Sequence, residues 1–153
     1  MKIMDILVRD AVVLDLASSQ KADVLAEMAR GLAAAEEGIS ADELLRVLEE
    51  REALQSTGIG EGVAIPHGKL PGLHRLIASF ARSREGVDFD SIDGLPTQLF
   101  FLLVVPEHSG GQHLKALARI SRFFRDAAFR ARLHEAQSLD DVCRAIEEED
   151  AKF

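Results

Sequence analysis

The apolar residues in the first third of the chain recur at three- and four-residue spacing, which is the period of an amphipathic helix. This pattern predicts a helix over residues 20–37, with Ser18 or Ser19 as its N-cap. A second helix is predicted over 40–53. It opens with a capping box, in which a serine is followed three residues later by a glutamate.

The same period returns in the last third of the chain. Helices are predicted over residues 112–126 and 127–135, and Ser138 with Asp141 opens a last helix. The residues predicted to face the core are Leu114, Leu117, Ser121 and Phe124 in the first of these helices, and Leu139, Val142 and Ile146 in the last.

Four short segments read as strands: 11–16, 63–65, 75–81 and 97–105. The last is apolar on both faces, as expected of a central strand covered on both sides. Residues 55–62 contain three glycines, a serine and a threonine, and they predict a loop. Because helices and strands alternate, we expect an α/β fold with a sheet covered by helices.

Length and composition narrow the class of protein. The 153 residues suit one domain, and 18 Lys plus Arg against 26 Asp plus Glu leave a net charge of −8. Such an acidic chain is a poor candidate for binding nucleic acid and a better one for a basic protein partner. The single cysteine, Cys143, cannot form an intramolecular disulfide, and the longest apolar run, Leu99–Val105, is too short to span a bilayer. No secretory signal is visible, so we expect a soluble cytoplasmic protein.

Two of the five histidines lie where chemistry is expected. Pro66 ends the strand 63–65, so His67 is predicted at or just beyond the end of a strand, beside a glycine-rich loop. His113 follows two glycines at the start of a helix, where free backbone N–H groups favour an anion. A structural role stays open for His67. It is the favoured interpretation for His113 considered alone, because helix starts often carry polar capping residues, and for His74, His108 and His134.

Other chemistries fit the sequence poorly. The glycines of residues 58–62 precede a strand instead of opening a helix, so they are not a dinucleotide fingerprint, and the Lys-Ser/Thr of a phosphate loop is missing. There is no HExxH, no paired cysteine motif and no G-x-S-x-G elbow. Considered alone, Arg51 and Glu52 read as the exposed end of a helix, and Ser56 and Thr57 as turn formers.

Taken together, the stretch REALQSTGIGEGVAIPHGKL over residues 51–70 resembles the active-site motif of the phosphotransferase-system (PTS) EIIA type 2 family, the mannitol/fructose type. The similarity is greatest to its nitrogen-regulatory branch, EIIA-Ntr. It continues through GVDFDSIDGLPTQLFFLLVVP, HLKALARISRFFRD and AQSLDDV, and so covers nearly the whole chain in the family's order. The resemblance implies one EIIA domain over residues 1–153, with a mixed β-sheet of about five strands sandwiched between helices.

The resemblance also implies the site. His67 matches the family's phosphorylated histidine, His113 its second histidine and Arg51 its arginine, while Ser56 and Thr57 match the small hydroxyl residues of the phosphate-binding loop. The implied donor is HPr or a similar phosphohistidine protein, with phosphoenolpyruvate as the upstream source. The implied reaction needs no metal ion, nucleotide or other cofactor.

Two functions remain open within this resemblance. A stand-alone protein of the nitrogen type is expected to regulate an unknown target through its phosphorylation state. A sugar-specific EIIA would instead pass the phosphoryl group to a separate EIIB. A domain that binds partners but has lost transfer is disfavoured, because His67 and His113 are both present.

Overall fold

The computed structural model describes residues 1–153, which form five α-helices and one five-stranded sheet. The elements in chain order are α1 Lys21–Ala35, α2 Ala41–Leu54, β1 Gly58–Gly60, β2 Val63–Ala64, β3 His67–Leu70, β4 Ile77–Val87, β5 Thr97–Pro106, α3 Gln112–Arg125, α4 Ala127–Glu135 and α5 Leu139–Asp150. No helix is both long enough and apolar enough to cross a membrane.

Strand β5 is the centre of the sheet, as its continuous apolar sequence predicts. It pairs antiparallel with β4 along one edge and parallel with β2 and β3 along the other. Alternate residues of β5 enter two separate cores. Leu99, Phe101, Leu103 and Val105 pack with residues of α3, α4 and α5, whereas Phe100, Leu102 and Val104 pack with α1 and α2. The predicted mixed sheet between helices is therefore confirmed.

A break at Pro66 separates β2 from β3 without changing their register against β5. Val63 lies opposite Leu99, and His67 lies opposite Leu103. Proline has no N–H to give to a ladder, but its carbonyl still accepts a hydrogen bond from Leu103 N at 2.9 Å. The chain therefore resumes as β3, and His67 is its first residue. The expectation that His67 follows the end of a strand is met, but the histidine also opens the next one.

The predicted strand over 11–16 is wrong. That segment holds the end of a short 3-10 turn, Arg9–Ala11, and a single bridge from Val13 to Ala81. It still lies along the outer edge of β4, where Val13 N donates to the Phe80 carbonyl and Leu16 N to the Arg82 carbonyl. The apolar pattern of residues 11–16 fits a strand, but it fits an irregular segment packed along a sheet edge equally well. The sequence pattern therefore could not distinguish the two structures.

The prediction that residues 55–62 contain no regular element is also wrong. Gly58–Gly60 form β1, which pairs antiparallel with β2. The turn between them has Glu61 at φ 57° and Gly62 at φ 75°. Two consecutive positive φ angles are typical of a tight type I′ hairpin turn, and glycine at the second position lowers its cost.

The helices themselves are confirmed, but their details differ. Ser40 and Ser138 accept hydrogen bonds from Glu43 N and Asp141 N, as capping boxes predict. The predicted cap of α1 is wrong, because Gln20 is its N-cap and makes no side-chain cap bond. Ser18 instead donates its hydroxyl to Glu27, at 2.8 Å.

The predicted core face of α3 is only partly correct. Its buried residues are Ala116, Ile120, Phe123 and Phe124, whereas Leu114 is 62% exposed. The sequence of α3 holds two overlapping apolar stripes. The stripe that contains the small Ala116 faces the sheet. Leu117 and Leu114 are consequently left beside a surface cavity or in solvent.

Gly68 controls how closely α2 approaches β3. A Cβ placed on Gly68 would lie 2.5 Å from a Val47 methyl group, far inside van der Waals contact. Val47 is β-branched and has little rotamer freedom in a helix. A glycine directly after His67 therefore lets the last turns of α2 reach the histidine.

We predict that Gly68→Ala lowers the free energy of unfolding by about 1–3 kcal/mol, the usual cost of overpacking a close contact. Gly31→Ala is the matched control. Gly31 lies inside α1 with only ordinary contacts around an added Cβ, so this change should stabilise the protein by about 0.5–1 kcal/mol. Urea denaturation of both variants checks the pair. A Gly68→Ala protein as stable as the wild type would contradict the close-packing argument.

Candidate active site

A surface cavity of about 400 Å³ lies between α2, β3, β5 and the start of α3. Its lining combines three predicted site residues, three other polar or small residues and five apolar side chains. The lining residues are Arg51, His67 and His113, then Glu50, Gly68 and Lys69, and Val47, Leu54, Leu103, Val105 and Leu117. The structure thus brings together residues that are 62 positions apart in the chain, Arg51 and His113.

The ring of His67 is held at both nitrogens. Nδ1 lies 2.9 Å from the Ile65 carbonyl oxygen, and Nε2 lies 3.3 Å from Arg51 Nε. A carbonyl can only accept and a guanidinium can only donate. The proton of the neutral ring must therefore be on Nδ1, so Nε2 keeps a lone pair, which accepts from Arg51.

Burial lowers the pKa of His67 below its ordinary value of 6.5. The hydrogen bond to Ile65 opposes this by stabilising the protonated ring, whereas the charge of Arg51 lowers the pKa further. Glu52 raises the pKa slightly, and His113 lowers it. The ring is consequently neutral at pH 7, and its unprotonated nitrogen is Nε2, which accepts from Arg51.

Arg51 projects from the last turn of α2, where its charge is favoured by the negative end of the helix dipole. Its Nη1 donates to the carbonyl of Gln55, the C-cap residue, at 2.8 Å. This bond closes the helix end and directs Nε at His67. One side chain therefore both caps α2 and contacts the histidine.

His113 occupies the second position of α3. Its Nδ1 donates to the Gly110 carbonyl at 3.0 Å, and Ser109 Oγ lies 3.3 Å from the same nitrogen. Nε2 is thereby free of the loop that precedes the helix. The ring lines the cavity that also contains His67.

Ser56 and Thr57 do not line the cavity. Ser56 Oγ donates to the Phe89 carbonyl at 2.7 Å and accepts from Gly58 N at 3.0 Å. Thr57 is buried, and its hydroxyl donates to the Glu52 carboxylate. Both hydroxyls are therefore used within the protein, and phosphate binding by them remains a prediction that requires these bonds to be exchanged.

The interpretation of Glu52 as an exposed helix end is wrong, because its side chain is only 5% exposed. The sequence contained a usable signal. Glu52 follows Leu44 and Leu48 at four-residue spacing, and both of those leucines are fully buried. The carboxylate therefore belongs to the inner face of α2.

The other histidines lie elsewhere. His74 and His108 are exposed, and His108 is 3.9 Å from Glu107. His134 lies in α4, where burial and then Arg82 and Arg130 lower its pKa. None of the three lines the cavity, and no three His, Cys, Asp or Glu side chains converge in a way that could hold a metal ion.

The charged residues that line the cavity are mostly positive, whereas the chain as a whole is negative. The protein carries −8, but Arg51 and Lys69 outnumber Glu50 among the cavity's charged residues. Leu54, at its edge, is 83% exposed. A half-buried imidazole with an unprotonated nitrogen, nearby cations and an apolar edge are suited to receive a phosphoryl group from a second macromolecule.

A family model for the phosphoenolpyruvate-dependent sugar phosphotransferase system, EIIA 2, matches residues 5–149, which include every residue of this cavity. The chain belongs to the PTS EIIA 2 family. EIIA proteins are phosphotransfer components that interact with phosphocarrier and EIIB partners. The family prediction made from the motif is therefore confirmed.

Relatives within the EIIA 2 family include both regulators and sugar-system components. A nitrogen regulatory protein of Bradyrhizobium diazoefficiens is 42% identical over 142 residues, which are 93% of this chain and 92% of that one. The fructose-specific EIIABC component of Bacillus subtilis is 35% identical over 150 residues, 98% of this chain but only 24% of that protein.

Two solved structures show the same EIIA fold. The crystal structure of IIA-Ntr from Neisseria meningitidis has a TM-score of 0.88 at 36% identity, covering 94% of this chain and 98% of that one. IIA mannitol from Escherichia coli has a TM-score of 0.74 at 19% identity, covering 90% and 96%. The second likeness confirms the mannitol-type fold, and the first supports the resemblance to the nitrogen branch.

We predict that ¹⁵N NMR of the histidine rings shows His67 as the Nδ1–H tautomer with a pKa below 6.5. Arg51→Met should raise that pKa, because the variant removes a positive charge next to Nε2. Arg46→Met is the matched control, since Arg46 lies on the same helix and pairs with Glu50 in solvent. A His67 pKa at or above 6.5 in the wild type would contradict this account of the site.

Proposed function

We propose that this protein is a phosphocarrier with regulatory output, a single EIIA unit over residues 1–153 that accepts a phosphoryl group on His67. The observation that carries the proposal is the unprotonated Nε2 of His67, which follows from the Nδ1 bond to Ile65 and accepts a hydrogen bond from Arg51 Nε. Arg51 has to release this lone pair before Nε2 can attack phosphorus. The family membership and the nitrogen regulatory relative support it.

The proposed donor is an HPr-type protein phosphorylated on a histidine. His67 Nε2 attacks the phosphorus, a new N–P bond forms, and the donor's N–P bond breaks with its electron pair returning to the donor ring. Charge develops on the phosphoryl oxygens, so positioning and electrostatic stabilisation dominate the catalysis. Arg51, Lys69 and His113 line the cavity and supply cationic or N–H groups at the point of transfer.

The proton on Nδ1 stays in place during this step, because the Ile65 carbonyl accepts it before and after transfer. The phosphorylated ring then carries a positive charge, which weakens its N–P bond. His67 would accordingly hold the phosphoryl group in a transferable form.

The rim of the cavity supports a protein as the donor. Leu54 and Leu114 are 83% and 62% exposed and lie on α2 and α3, the two helices that flank the cavity. Exposed apolar residues beside a polar centre are typical of a protein docking surface. The overall charge of −8 would speed the approach of a basic donor.

The regulatory output follows from the charge of the product. A phosphoryl group adds about −1.5 to −2 charges when carried by hydroxyl side chains, and one on His67 makes a locally positive surface more negative. A target that recognises this face would therefore distinguish the two forms. Phosphoenolpyruvate is made inside cells, so we propose a cytoplasmic location.

A sugar relay is the second candidate. The family description names a sugar phosphotransferase system, and the Bacillus subtilis relative is fructose-specific. In addition, one structural neighbour of the same fold is the complex of enzyme IIA mannitol with phosphorylated enzyme IIB mannitol from Escherichia coli. In this alternative His67 passes its phosphoryl group to a separate EIIB.

Incubation with phosphoenolpyruvate, enzyme I and HPr should add one acid-labile phosphate, detected by intact-mass spectrometry. We predict that His67→Ala abolishes this labelling, whereas His74→Ala and His108→Ala retain it, because those two rings are exposed and outside the cavity. Labelling that persists in His67→Ala would refute the assignment. Subsequent transfer from the phosphorylated protein to a purified EIIB would favour the sugar relay over the regulator.

We predict that His113→Ala slows phosphorylation of His67 by about 10- to 100-fold without removing the acceptor, because the donor that His113 offers through Nε2 when its ring is doubly protonated is lost. Rapid-quench kinetics with the phosphorylated donor measures the rate. Gln112→Ala, on the neighbouring residue of α3, is the control. An unchanged rate and an unchanged lifetime of the phosphorylated form in His113→Ala would exclude this role.

A further inference from the structure

Glu52 is a charged residue in a place that is costly for a carboxylate. It lies in the last turns of α2, whose dipole disfavours negative charge, and its side chain is 5% exposed. A glutamate kept both at the negative end of a helix and inside the protein points to a function in the site.

Three groups compensate for the burial of Glu52. Lys21 Nζ of α1 forms an ion pair with Oε2 at 3.1 Å, and Thr57 N–H donates to Oε1 at 2.8 Å. The Thr57 hydroxyl also donates to Oε1. The carboxylate therefore ties the segment after α2 to both α1 and α2.

From Thr57 the contacts continue to the ring of His67. The Thr57 carbonyl accepts a hydrogen bond from Ile65 N at 3.0 Å, and the Ile65 carbonyl accepts from His67 Nδ1 at 2.9 Å. Each link in this series is a short hydrogen bond between buried or half-buried groups. The position of the Ile65 carbonyl, which determines the ring tautomer, thus depends on where Glu52 holds Thr57.

We propose that Glu52 is a positioning residue for phosphoryl transfer, acting through Thr57 and Ile65 to keep His67 in the Nδ1–H tautomer with Nε2 unprotonated. This inference rests on the proposed function of His67. In the other tautomer Nε2 would carry a proton directed at the Arg51 N–H donor, and it would have no lone pair for phosphorus. Lys21 contributes by pairing with Oε2 of Glu52.

This arrangement assigns Thr57 a role other than touching phosphate. Its hydroxyl and N–H are both directed at Glu52, and its carbonyl is directed at Ile65. Removing the Glu52 acceptor should therefore affect the ring of His67, even though Glu52 does not line the cavity.

The decisive variant is Glu52→Gln, which keeps the shape of the side chain but replaces Oε2, the partner of Lys21, by an NH2 group that cannot accept. The side chain that holds Thr57 then loses its anchor on α1. We expect the ¹⁵N spectrum of His67 to show a mixture of tautomers, and the phosphorylation rate at saturating donor to fall by about 10- to 100-fold with little change in KM. Glu52→Asp should recover part of the rate. Melting curves identify any variant that loses stability, and Glu52→Gln avoids the void that Glu52→Ala would leave.

Glu49→Gln is the matched control, because it makes the same charge change one turn earlier on α2 at an exposed residue. It should leave both the tautomer and the rate unchanged. Thr57→Val and Thr57→Ser form a second pair, since only the serine keeps the hydroxyl that donates to Glu52. Thr57→Val should shift the tautomer, whereas Thr57→Ser should not.

Two results would overturn the proposal. One is a wild-type rate in Glu52→Gln, and the other is a reduced rate while His67 remains entirely in the Nδ1–H tautomer. If the wild-type protein accepted no phosphoryl group, the proposed function would fail, and the NMR comparison would still decide whether Glu52 sets the tautomer.

Discussion

The hydrogen bond from His67 Nδ1 to the Ile65 carbonyl is the interaction on which the site depends. The Ile65 N–H donates to the Thr57 carbonyl, on the side of the chain away from β5, while Pro66 accepts from Leu103 N of β5 and keeps the register. The Ile65 carbonyl is therefore not used by β5, and it accepts from the ring two residues later.

Packing of the helices then determines what faces the other nitrogen. Gly68 lets α2 lie against β3, and Arg51 reaches His67 from the end of that helix. The start of α3 adds His113 from the opposite side of β5. The resulting cavity is locally cationic within a chain of charge −8. This contrast fits the proposed transfer of a phosphoryl group from a basic partner.

Much of the fold could be predicted from the sequence, because helix periodicity, capping serines and the apolar run of β5 each have a local physical cause. The errors arose where tertiary contacts chose between local alternatives, as for the two apolar stripes of α3. Arg51, His67 and His113 could be named from a motif, but the tautomer of His67 could not, since it depends on bonds to Ile65 and Arg51. Glu52 was missed because a charge near a helix end is usually exposed, although its spacing from Leu48 placed it inside.

The central claim is that Nε2 of His67 is the nucleophile and that Nδ1 keeps its proton. The most direct test is NMR of the phosphorylated protein labelled with ¹⁵N-histidine, in which coupling between ³¹P and ¹⁵N identifies the bonded nitrogen. The account predicts coupling to Nε2 of His67 and a proton on Nδ1. Coupling to Nδ1, or to a nitrogen of any other histidine, would contradict it.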